Sequence, residues 1–415
     1  MNLSSIQTEK DRPAILFLSE VMPLGGTSNF AINICAGLRA AGNWTGIAAA
    51  LREPSEVAAE FSPLGLPMIG PDPTLVLYEE RIEYLYRKCS SYAPSAVVGA
   101  LSSGSFDFLR YVPEGCLRIA MIQSDDEGVY QTVLRYIGWI DIIAGVSSEI
   151  CRKMESRLPA GSRVRVIHQP YGVPMPDINP QETSEGPLRI LYLGRVIEEQ
   201  KRVSLMARVI KATLAAHQEL SWTIVGDGPQ LESLKTEFAT ASSRVQFLGA
   251  IPYQNVPNII SGQHVYFLCS DFEGLPLSLL ESMGAGLVPV VSDLASGISE
   301  VVNDRNGIRV PINDEQGYVD AILKFAEDRD MLTAFSKVSR ETVRESHSTA
   351  AMTRRWEEML AIHASETPPF WNQKCRATVP LDVAHKWYLK PWLRPLRAAA
   401  KRINRRIYLA SHHES

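Results

Sequence analysis

The stretch SDFEGLPLSLLESMGAGLVPVVSD, residues 270–293, places two carboxylates around a sequence that favours the start of a helix. Glu273 precedes Gly-Leu-Pro, and Glu281 follows eight positions later. Proline is common at the first helical position, so the helix is predicted to begin at Pro276. Gly274 permits a sharp turn and a close approach of the backbone. Unpaired N–H groups at a helix start, together with the helix dipole, favour a bound anion.

The backbone amides of Gly274, Leu275 and Leu277 are therefore the predicted donors to a diphosphate. Carboxylates next to such a site would repel phosphate directly. We expect Glu273 and Glu281 instead to accept hydrogen bonds from hydroxyl groups that flank the phosphates, such as those of a ribose and a sugar. The segment alone is equally compatible with two ordinary solvated acids at a helix start.

A second motif, LYLGRVIEEQKRVSL, covers residues 191–205. A predicted strand ends at Leu193, Gly194 turns the chain out of it, and Arg195 and Lys201 lie six positions apart. Two cations at the carboxyl end of a strand can clamp two phosphate groups, the arginine by bidentate contact and the lysine as a point charge. Taken alone, the two residues are more typical of a solvated charged loop.

The third motif is the turn Gly226-Asp227-Gly228-Pro229, which follows the apolar run 221–225. Such a turn can open a helix. On its own it is a weak indication of function. Because it follows another strand of the same half, Gly226 and Gly228 are candidates for one wall of the site.

Short apolar runs alternate with longer amphipathic segments, which is typical of parallel sheets covered by helices. The alternation stops at 170–187, a stretch rich in Pro, Gly and acidic residues, and then starts again. We therefore expect an α/β protein of two Rossmann-like domains that face each other across a ligand-binding cleft. The predicted parts are an amino-terminal domain over 1–175, a linker over 176–187, a second domain over 188–345, a helix over 346–365 that can cross back to the first domain, and a basic tail over 366–415.

Composition indicates a globular protein, with 45% hydrophobic and 21% charged residues. The six cysteines are scattered and form no CxxC pair, which argues against a disulfide framework or a zinc site and favours a cytoplasmic location. The chain starts without the pattern of a signal peptide, and no run of about 18 apolar residues predicts a membrane span. Residues 1–365 carry a net negative charge, and this acidic body also argues against general binding of nucleic acid.

Together the three motifs resemble those of the family-4 glycosyltransferases, whose architecture of two Rossmann domains is called GT-B. The combination of GR-x5-K, VGDGP and E-x7-E within EGLP-x4-ES-x-G-x-G is specific, and the resemblance spans roughly 188–311. It implies that Arg195 and Lys201 bind the diphosphate of a UDP- or GDP-sugar. It also implies that Glu273 faces the transferred sugar and that Glu281 binds the ribose.

The activity implied by this resemblance is the transfer of a sugar, with retention of configuration, to a hydroxyl of a cell-surface glycan, a lipid-linked acceptor or a small molecule. The predicted catalytic residues are Arg195, Lys201 and Glu273. The predicted donor site consists of Gly26, Arg195, Lys201, Gly226, Gly228, Glu273, Gly274, Leu275, Pro276, Leu277 and Glu281.

The amino-terminal half matches the family less specifically. VMPLGGTSNFAINICAGLRAAG, residues 21–42, resembles its glycine-rich loop and first helix. Gly25 and Gly26 would let the backbone approach the donor phosphate or the acceptor, although a plain strand-to-helix turn is an alternative. Gln123 stands where many relatives carry a histidine. It can bind a sugar or acceptor hydroxyl, but it does not change charge near neutral pH, which puts an acid-base role there in doubt. For His168 we favour a structural role.

Three alternatives concern chemistry. Asp125 and Asp126 resemble an acidic pair that holds a metal, as in the other large glycosyltransferase fold, but the two halves and the cationic phosphate ligands predict that neither a metal nor a cofactor is needed. A nucleotide-sugar epimerase could use the same architecture. A non-catalytic relative that binds a partner protein is the third possibility, and Gln123 and the basic tail are its best supports.

The tail is basic, with ten Lys/Arg and three Asp/Glu from residue 366 to the end. Its apolar residues between 387 and 410 follow a helical spacing, and Trp387 and Trp392 add aromatic side chains. This pattern predicts a helix that either lies on an anionic membrane surface, at the inner face of the cytoplasmic membrane, or packs on the acidic body or on a partner subunit. Pro391 and Pro395 weaken the start of this helix.

Overall fold

The structure is a computed structural model, and it describes residues 14–19, 26–42, 44–50, 65–72, 74–100, 103–176, 186–364, 369–372, 375–378, 381 and 393–402. The chain divides into two compact units. The first contains the described residues of Met1–Gly145, Met154–Ile167 and Trp356–Ser415, and the second consists of Val146–Lys153 and the described residues of His168–Arg355. Gly25, Trp387, Trp392 and most of the predicted linker lie outside the described residues.

The first unit is built on a sheet with the Rossmann strand order. Its strands are β1 (Ala14–Ser19), β2 (Thr45–Ala50), β3 (Met68–Ile69), β4 (Ala96–Ala100), β5 (Leu117–Ile122), β6 (Ile142–Gly145) and β7 (Arg165–His168). They lie in the order β3-β2-β1-β4-β5-β6-β7. In the parallel register, Leu16 lies opposite both Ile47 and Val97. Strands β1 and β4 are buried throughout, which explains their continuous apolar sequences.

The second unit repeats this order in a second parallel sheet. Its strands are β8 (Leu188–Leu193), β9 (Leu220–Val225), β10 (Val245–Gly249), β11 (Val265–Leu268), β12 (Val288–Ser292) and β13 (Ile308–Val310). They lie in the order β10-β9-β8-β11-β12-β13. On one face of the sheet, the ring of Phe267 packs edge-on against Trp222 and Tyr318, with centroids 5.1 and 5.4 Å apart. These contacts anchor the central strands.

Helices connect the strands of both sheets. In chain order they are α1 (Gly26–Ala41), α2 (Tyr78–Ser90), α3 (Ser103–Phe108), α4 (Glu127–Arg135), α5 (Ser148–Glu155), α6 (Glu198–Lys201), α7 (Val203–Ala216), α8 (Leu231–Glu237), α9 (Val256–Ile260), α10 (Leu277–Gly284), α11 (Gly297–Val301), α12 (Glu315–Glu327), α13 (Arg329–Ser346) and α14 (Thr349–His363). Short 3-10 helices cover Leu109–Tyr111, Ile137–Trp139, Ala239–Ala241 and Tyr253–Asn255.

The predicted α/β class with two Rossmann-like domains is confirmed. The apolar runs predict strands over 14–18, 46–51, 96–100, 118–122, 141–146, 188–193, 221–225, 245–248, 265–269 and 288–292. Each of these agrees with an observed strand to within one residue at either end, whereas helix starts differ more. The apolar pattern predicts a helix over 319–329, but helix α12 begins at Glu315, because Asp314 caps it by accepting a hydrogen bond from the amide of Gly317 at 2.9 Å. The first turn is polar and shows no apolar periodicity, so only the cap marks its start.

Among the described residues, no helix has the length and apolar character needed to cross a bilayer.

Candidate functional site

The strand order of the second unit determines where the candidate site lies. From β8 the chain runs outward to β9 on one side, and β11 lies on the other side of β8. The carboxyl ends of β8 and β11 therefore flank the point where the strand order reverses, which is where open α/β sheets leave a ligand crevice. Arg195 follows β8 and Glu273 follows β11, so the topology brings the first and second sequence motifs to one place.

The glycine turn after β9 packs directly against the loop that carries Arg195. Gly226 has φ 135°, and a Cβ there would lie 1.8 Å from the carbonyl oxygen of Gly194. A Cβ on Gly228 would lie 2.2 Å from the carbonyl oxygen of Val196. The amide of Val196 donates to the carbonyl of Asp227 at 2.9 Å. Only glycine fits these two positions, and the third motif therefore supports the second.

Arg195 is exposed, and neighbouring residues form hydrogen bonds with both its backbone carbonyl and its guanidinium. The buried Tyr192 donates its hydroxyl proton to the Arg195 carbonyl at 2.5 Å. The guanidinium donates through Nη2 to Oε1 of Gln200 at 2.6 Å. Within the described part of the chain Arg195 has no carboxylate partner, so its charge is available to an anionic ligand.

Lys201 and Glu273 form a buried ion pair. Nζ of Lys201 lies 2.5 Å from Oε1 of Glu273, and each side chain is 9% exposed. This burial excludes the alternatives in which the lysine lies on a solvated loop and the glutamate is a solvated acid. Desolvating an ion pair is costly, so its presence at the crevice favours a functional role.

The loops that carry these two residues are joined by further hydrogen bonds. The carbonyl of Gln200 accepts from the amide of Asp271 at 2.9 Å, and its side-chain amide donates to the carbonyl of Phe272 at 3.1 Å. Arg202 pairs with Asp271 at 3.1 Å. The segment around Lys201 is therefore fixed to the segment that precedes Glu273.

The helix α10 begins one residue later than predicted. Pro276 has φ −65° and ψ 123° and is the N-cap residue, so its assignment to the first helical position is wrong by one. Its carbonyl already accepts from the amide of Leu280 at 3.4 Å, as an N-cap carbonyl does. The amides of Gly274, Leu275 and Leu277 have no acceptor among the described residues, in agreement with a site for an anion.

Glu281 lies in the second turn of α10. Its Oε1 atom is buried and has no hydrogen-bond partner among the described residues. Burial raises the pKa of Glu281 to about 7, and a hydrogen bond with Tyr253 opposes this rise. A buried carboxylate oxygen without a partner is destabilising, and ligand hydroxyls would satisfy it.

In the first unit, Gly26 is exposed and opens α1, three residues before Asn29, where the apolar pattern predicts the helix to begin. Gln123 directly follows β5 and is 8% exposed, and neither of its side-chain amide atoms has a hydrogen-bond partner in the described structure. Asn29, which no sequence motif singled out, is 9% exposed, and its Oδ1 also has no partner among the described residues. The sequence offers only a weak signal for it, because Asn29 lies in a polar first turn beside Thr27 and Ser28.

The two candidate metal ligands have structural roles. Asp125 accepts a hydrogen bond from the Tyr130 hydroxyl at 2.8 Å. Asp126 caps α4 by accepting from the amide of Val129 at 3.1 Å. The described residues contain no group of three or more His, Cys, Asp or Glu side chains arranged to hold a metal. His168 pairs with Glu300 at 3.2 Å, which is a structural contact of the kind we favoured.

The described part of the basic tail packs on the first unit. Residues 394–402 are helical, and three of their arginines face glutamates of α2. The pairs are Arg394 with Glu83 at 2.8 Å, Arg397 with Glu79 at 2.5 Å, and Arg402 with Glu80 at 3.1 Å. These contacts favour the second of the two predicted alternatives, packing on the acidic body, for this part of the tail.

Comparisons with known proteins agree with this architecture. Residues 176–342 match the sequence model of the family described as "Glycosyl transferases group 1". A solved structure of HepE from Anabaena in complex with UDP and glucose superposes with a TM-score of 0.69 at 13% identity, covering 85% of this chain and 100% of that one. The predicted resemblance to the GT-B glycosyltransferases is confirmed by the family match and the fold.

Two curated relatives are bacterial glycosyltransferases. The UDP-Gal:alpha-D-GlcNAc-diphosphoundecaprenol alpha-1,3-galactosyltransferase of Escherichia coli is 30% identical over 123 residues, which are 29% of this chain and 32% of the relative. A GDP-mannose-dependent monoacylated alpha-(1-6)-phosphatidylinositol monomannoside mannosyltransferase of Corynebacterium glutamicum is 24% identical over 247 residues, 55% of this chain and 64% of the relative. The similarity thus spans less than two thirds of either relative.

Proposed function

We propose that the protein is a retaining glycosyltransferase that moves a sugar from a UDP- or GDP-sugar to an acceptor hydroxyl. The observation that carries this proposal is the convergence of Arg195, Lys201 and the amides of Gly274, Leu275 and Leu277 at one end of the second sheet. These groups suit a diphosphate, and Oε1 of Glu281, which has no partner among the described residues, suits a ribose hydroxyl.

The proposed chemistry is electrostatic. The bond between the anomeric carbon and the diphosphate oxygen breaks, and the acceptor oxygen forms the new bond to that carbon. Negative charge develops on the departing diphosphate, where Arg195 and Lys201 stabilise it. The proton of the acceptor hydroxyl is taken up by the departing phosphate oxygen, so the step needs no protein base. The acceptor oxygen attacks on the face from which the diphosphate departs, so retention of configuration needs no protein nucleophile.

Glu273 has two partners in this proposal. Without donor it neutralises Lys201 at 2.5 Å. When the diphosphate binds, Lys201 gains a second anionic partner, and the carboxylate of Glu273 accepts hydrogen bonds from hydroxyls of the transferred sugar. We further propose that Gln123 of the first unit binds a sugar or acceptor hydroxyl, since both of its amide atoms are buried and have no partner within the described part of the chain. No metal or cofactor is assigned a step.

For the acceptor we propose a lipid-linked or cell-surface glycan. The names of the two curated relatives specify a diphosphoundecaprenol-linked and a phosphatidylinositol-linked acceptor, respectively. Such acceptors would place the enzyme at the inner face of the cytoplasmic membrane. The residues of the tail beyond 393–402 remain candidates for this contact, because the described arginines are occupied by ion pairs.

The proposal is tested by screening UDP- and GDP-sugars for release of nucleoside diphosphate, without acceptor and with lipid-linked acceptors. We expect slow hydrolysis of one donor, faster release with the right acceptor, and the same rates in EDTA. Interconversion of free donors without transfer would indicate an epimerase instead. No stabilisation of the protein by UDP or GDP would favour a non-catalytic relative.

A further inference from the structure

Gln200 makes three hydrogen bonds at the donor site, one within the segment after β8 and two to the segment after β11. Its side-chain oxygen accepts from Nη2 of Arg195 at 2.6 Å. Its side-chain nitrogen donates to the carbonyl of Phe272 at 3.1 Å. Its backbone carbonyl accepts from the amide of Asp271 at 2.9 Å. One side chain thus contacts both the loop after β8 and the residue that precedes Glu273.

These hydrogen bonds restrict the motion of the Arg195 side chain. The arginine is exposed, and a free side chain of this kind loses considerable rotamer entropy when it binds a phosphate. A hydrogen bond that already holds the guanidinium in place reduces that loss. The backbone contact to Asp271 fixes Gln200 itself, so the arginine is held relative to the loop that ends at Glu273.

The chemical identity of the side chain matters as well. A carboxylate at this position would also accept from the guanidinium, but it would neutralise the charge that a diphosphate needs. It would also place an anion near the bound phosphates and lose the donor to the Phe272 carbonyl. A neutral amide orients Arg195 and leaves its charge available.

We propose that Gln200 is a positioning residue for diphosphate recognition, acting through Arg195 and through the loop of Glu273. This inference rests on the proposed donor site, and it goes beyond that site by naming the residue that sets the orientation of its arginine. It predicts a role in binding the diphosphate and none in binding the nucleoside.

The experiment measures the affinities of UDP, GDP, uridine and guanosine by calorimetry. The variants are Gln200→Leu and Gln200→Glu. The matched control is Gln316→Leu, because Gln316 is likewise a surface glutamine whose amide makes a 2.7 Å side-chain hydrogen bond, to Asp320, on α12. Thermal unfolding of each variant verifies that the fold persists.

We expect Gln200→Leu to weaken the better-bound diphosphate about tenfold, the effect of losing a hydrogen bond to a charged group. Gln200→Glu should weaken it at least as much, and more strongly at low salt. Nucleoside affinity and the Gln316→Leu control should match the unaltered protein.

Diphosphate affinity that is unchanged in Gln200→Leu and Gln200→Glu would overturn the inference and leave the donor site standing. Equal losses for nucleoside and diphosphate would also overturn it, because they would indicate a general structural role. If the unaltered protein binds neither UDP nor GDP, the proposed function itself fails, and this inference fails with it.

Discussion

The ammonium group of Lys201 lies 2.5 Å from a carboxylate oxygen of Glu273, although the two residues are 72 positions apart in the chain. Both side chains are 9% exposed. The pair joins the loop after β8 to the loop after β11, the two strands that flank the reversal of strand order. A buried charge is tolerated when it is paired, so each residue depends on the other for stability as well as for function.

Replacing Arg195 and Lys201 should therefore have different consequences. Arg195→Ala removes an exposed cation and should lower turnover about 100- to 1000-fold with little change in stability. Lys201→Met should lower turnover similarly and also destabilise the fold by about 3–5 kcal/mol, because Glu273 is left buried and unpaired. Steady-state rates and thermal unfolding measure the two effects.

The double variant Lys201→Met/Glu273→Gln separates stability from catalysis. It should regain much of the stability while staying inactive. Lys211→Met is the control, since Lys211 is 57% exposed and pairs with Glu237 at 2.6 Å on the surface. Near-normal turnover in both Arg195→Ala and Lys201→Met would contradict the assignment of the diphosphate site.

Donor binding should depend on pH through Glu281. Burial raises the pKa of this carboxyl to about 7, and the ionised form is the acceptor for ribose hydroxyls. Affinity for the nucleoside diphosphate should rise about tenfold between pH 6 and pH 8, as the ionised fraction increases. Because the phosphate of the ligand also titrates, the informative quantity is the difference from Glu281→Gln, which should lack this component.

The raised pKa of Glu281 also makes the folding stability of the ligand-free protein depend on pH. A carboxyl whose pKa is higher in the folded than in the unfolded protein contributes stability below its unfolded pKa, which is lost as pH rises through about 7. Glu281→Gln should be less sensitive to pH in this range. If the unaltered protein and Glu281→Gln show the same pH dependence of affinity and of unfolding, the raised pKa of Glu281 is contradicted.

Gly226→Ala should disrupt the site by displacing the loop that carries Arg195. The new methyl would have to occupy a point 1.8 Å from the Gly194 carbonyl oxygen, at a backbone φ of 135° that alanine rarely adopts. We expect a loss of stability of about 1–3 kcal/mol and weaker binding of UDP or GDP. Gly262→Ala is the control, because the nearest atom would be 3.7 Å away. Unchanged nucleotide affinity in Gly226→Ala would show that the turn does not support Arg195.

The ion pairs between the tail and α2 predict that two arginine substitutions lower the stability of the fold to different extents. Glu79 is 3% exposed and Arg397 14%, so Arg397→Ala leaves a buried charge and should cost about 2–4 kcal/mol. Arg402 is 58% exposed, and Arg402→Ala should cost less than about 1 kcal/mol. Thermal unfolding compares the two. Equal small effects would mean that the tail helix is not docked on α2 in solution.

Whether the tail also binds membrane is a separate question. Flotation with anionic vesicles, of the full chain and of a variant that lacks residues 366–415, decides it. Binding that is lost on truncation would support the peripheral membrane location. Flotation that persists unchanged in the truncated protein would refute a role for the tail.

Most strands can be predicted from the sequence for a physical reason, whereas β3 and β13 are too short for a recognisable pattern. Strands that are buried on both faces need mostly apolar sequence, so β11 is visible as VYFL and β8 as LRILYL, in which Arg189 is the one charged residue. Polar motifs directly after such strands must lie at the carboxyl edge of the sheet. Once two βα halves are evident, Arg195 and Glu273 can be placed on the same edge.

Other features depend on contacts that no local pattern encodes. The pairing of Lys201 with Glu273 and the bonds of Gln200 join segments about 70 positions apart. The partners of the tail arginines lie more than 300 positions away, on α2. The one-residue error at Pro276 arose because proline is compatible with both the first helical position and the extended N-cap conformation observed.

A crystal structure with whichever of UDP and GDP stabilises the protein tests the diphosphate assignment most directly. We predict that the β-phosphate lies within hydrogen-bond distance of Arg195, Lys201 and the amides between Gly274 and Leu277, with the ribose on Glu281. A nucleotide bound elsewhere, or phosphates that point away from both cations, would contradict the account.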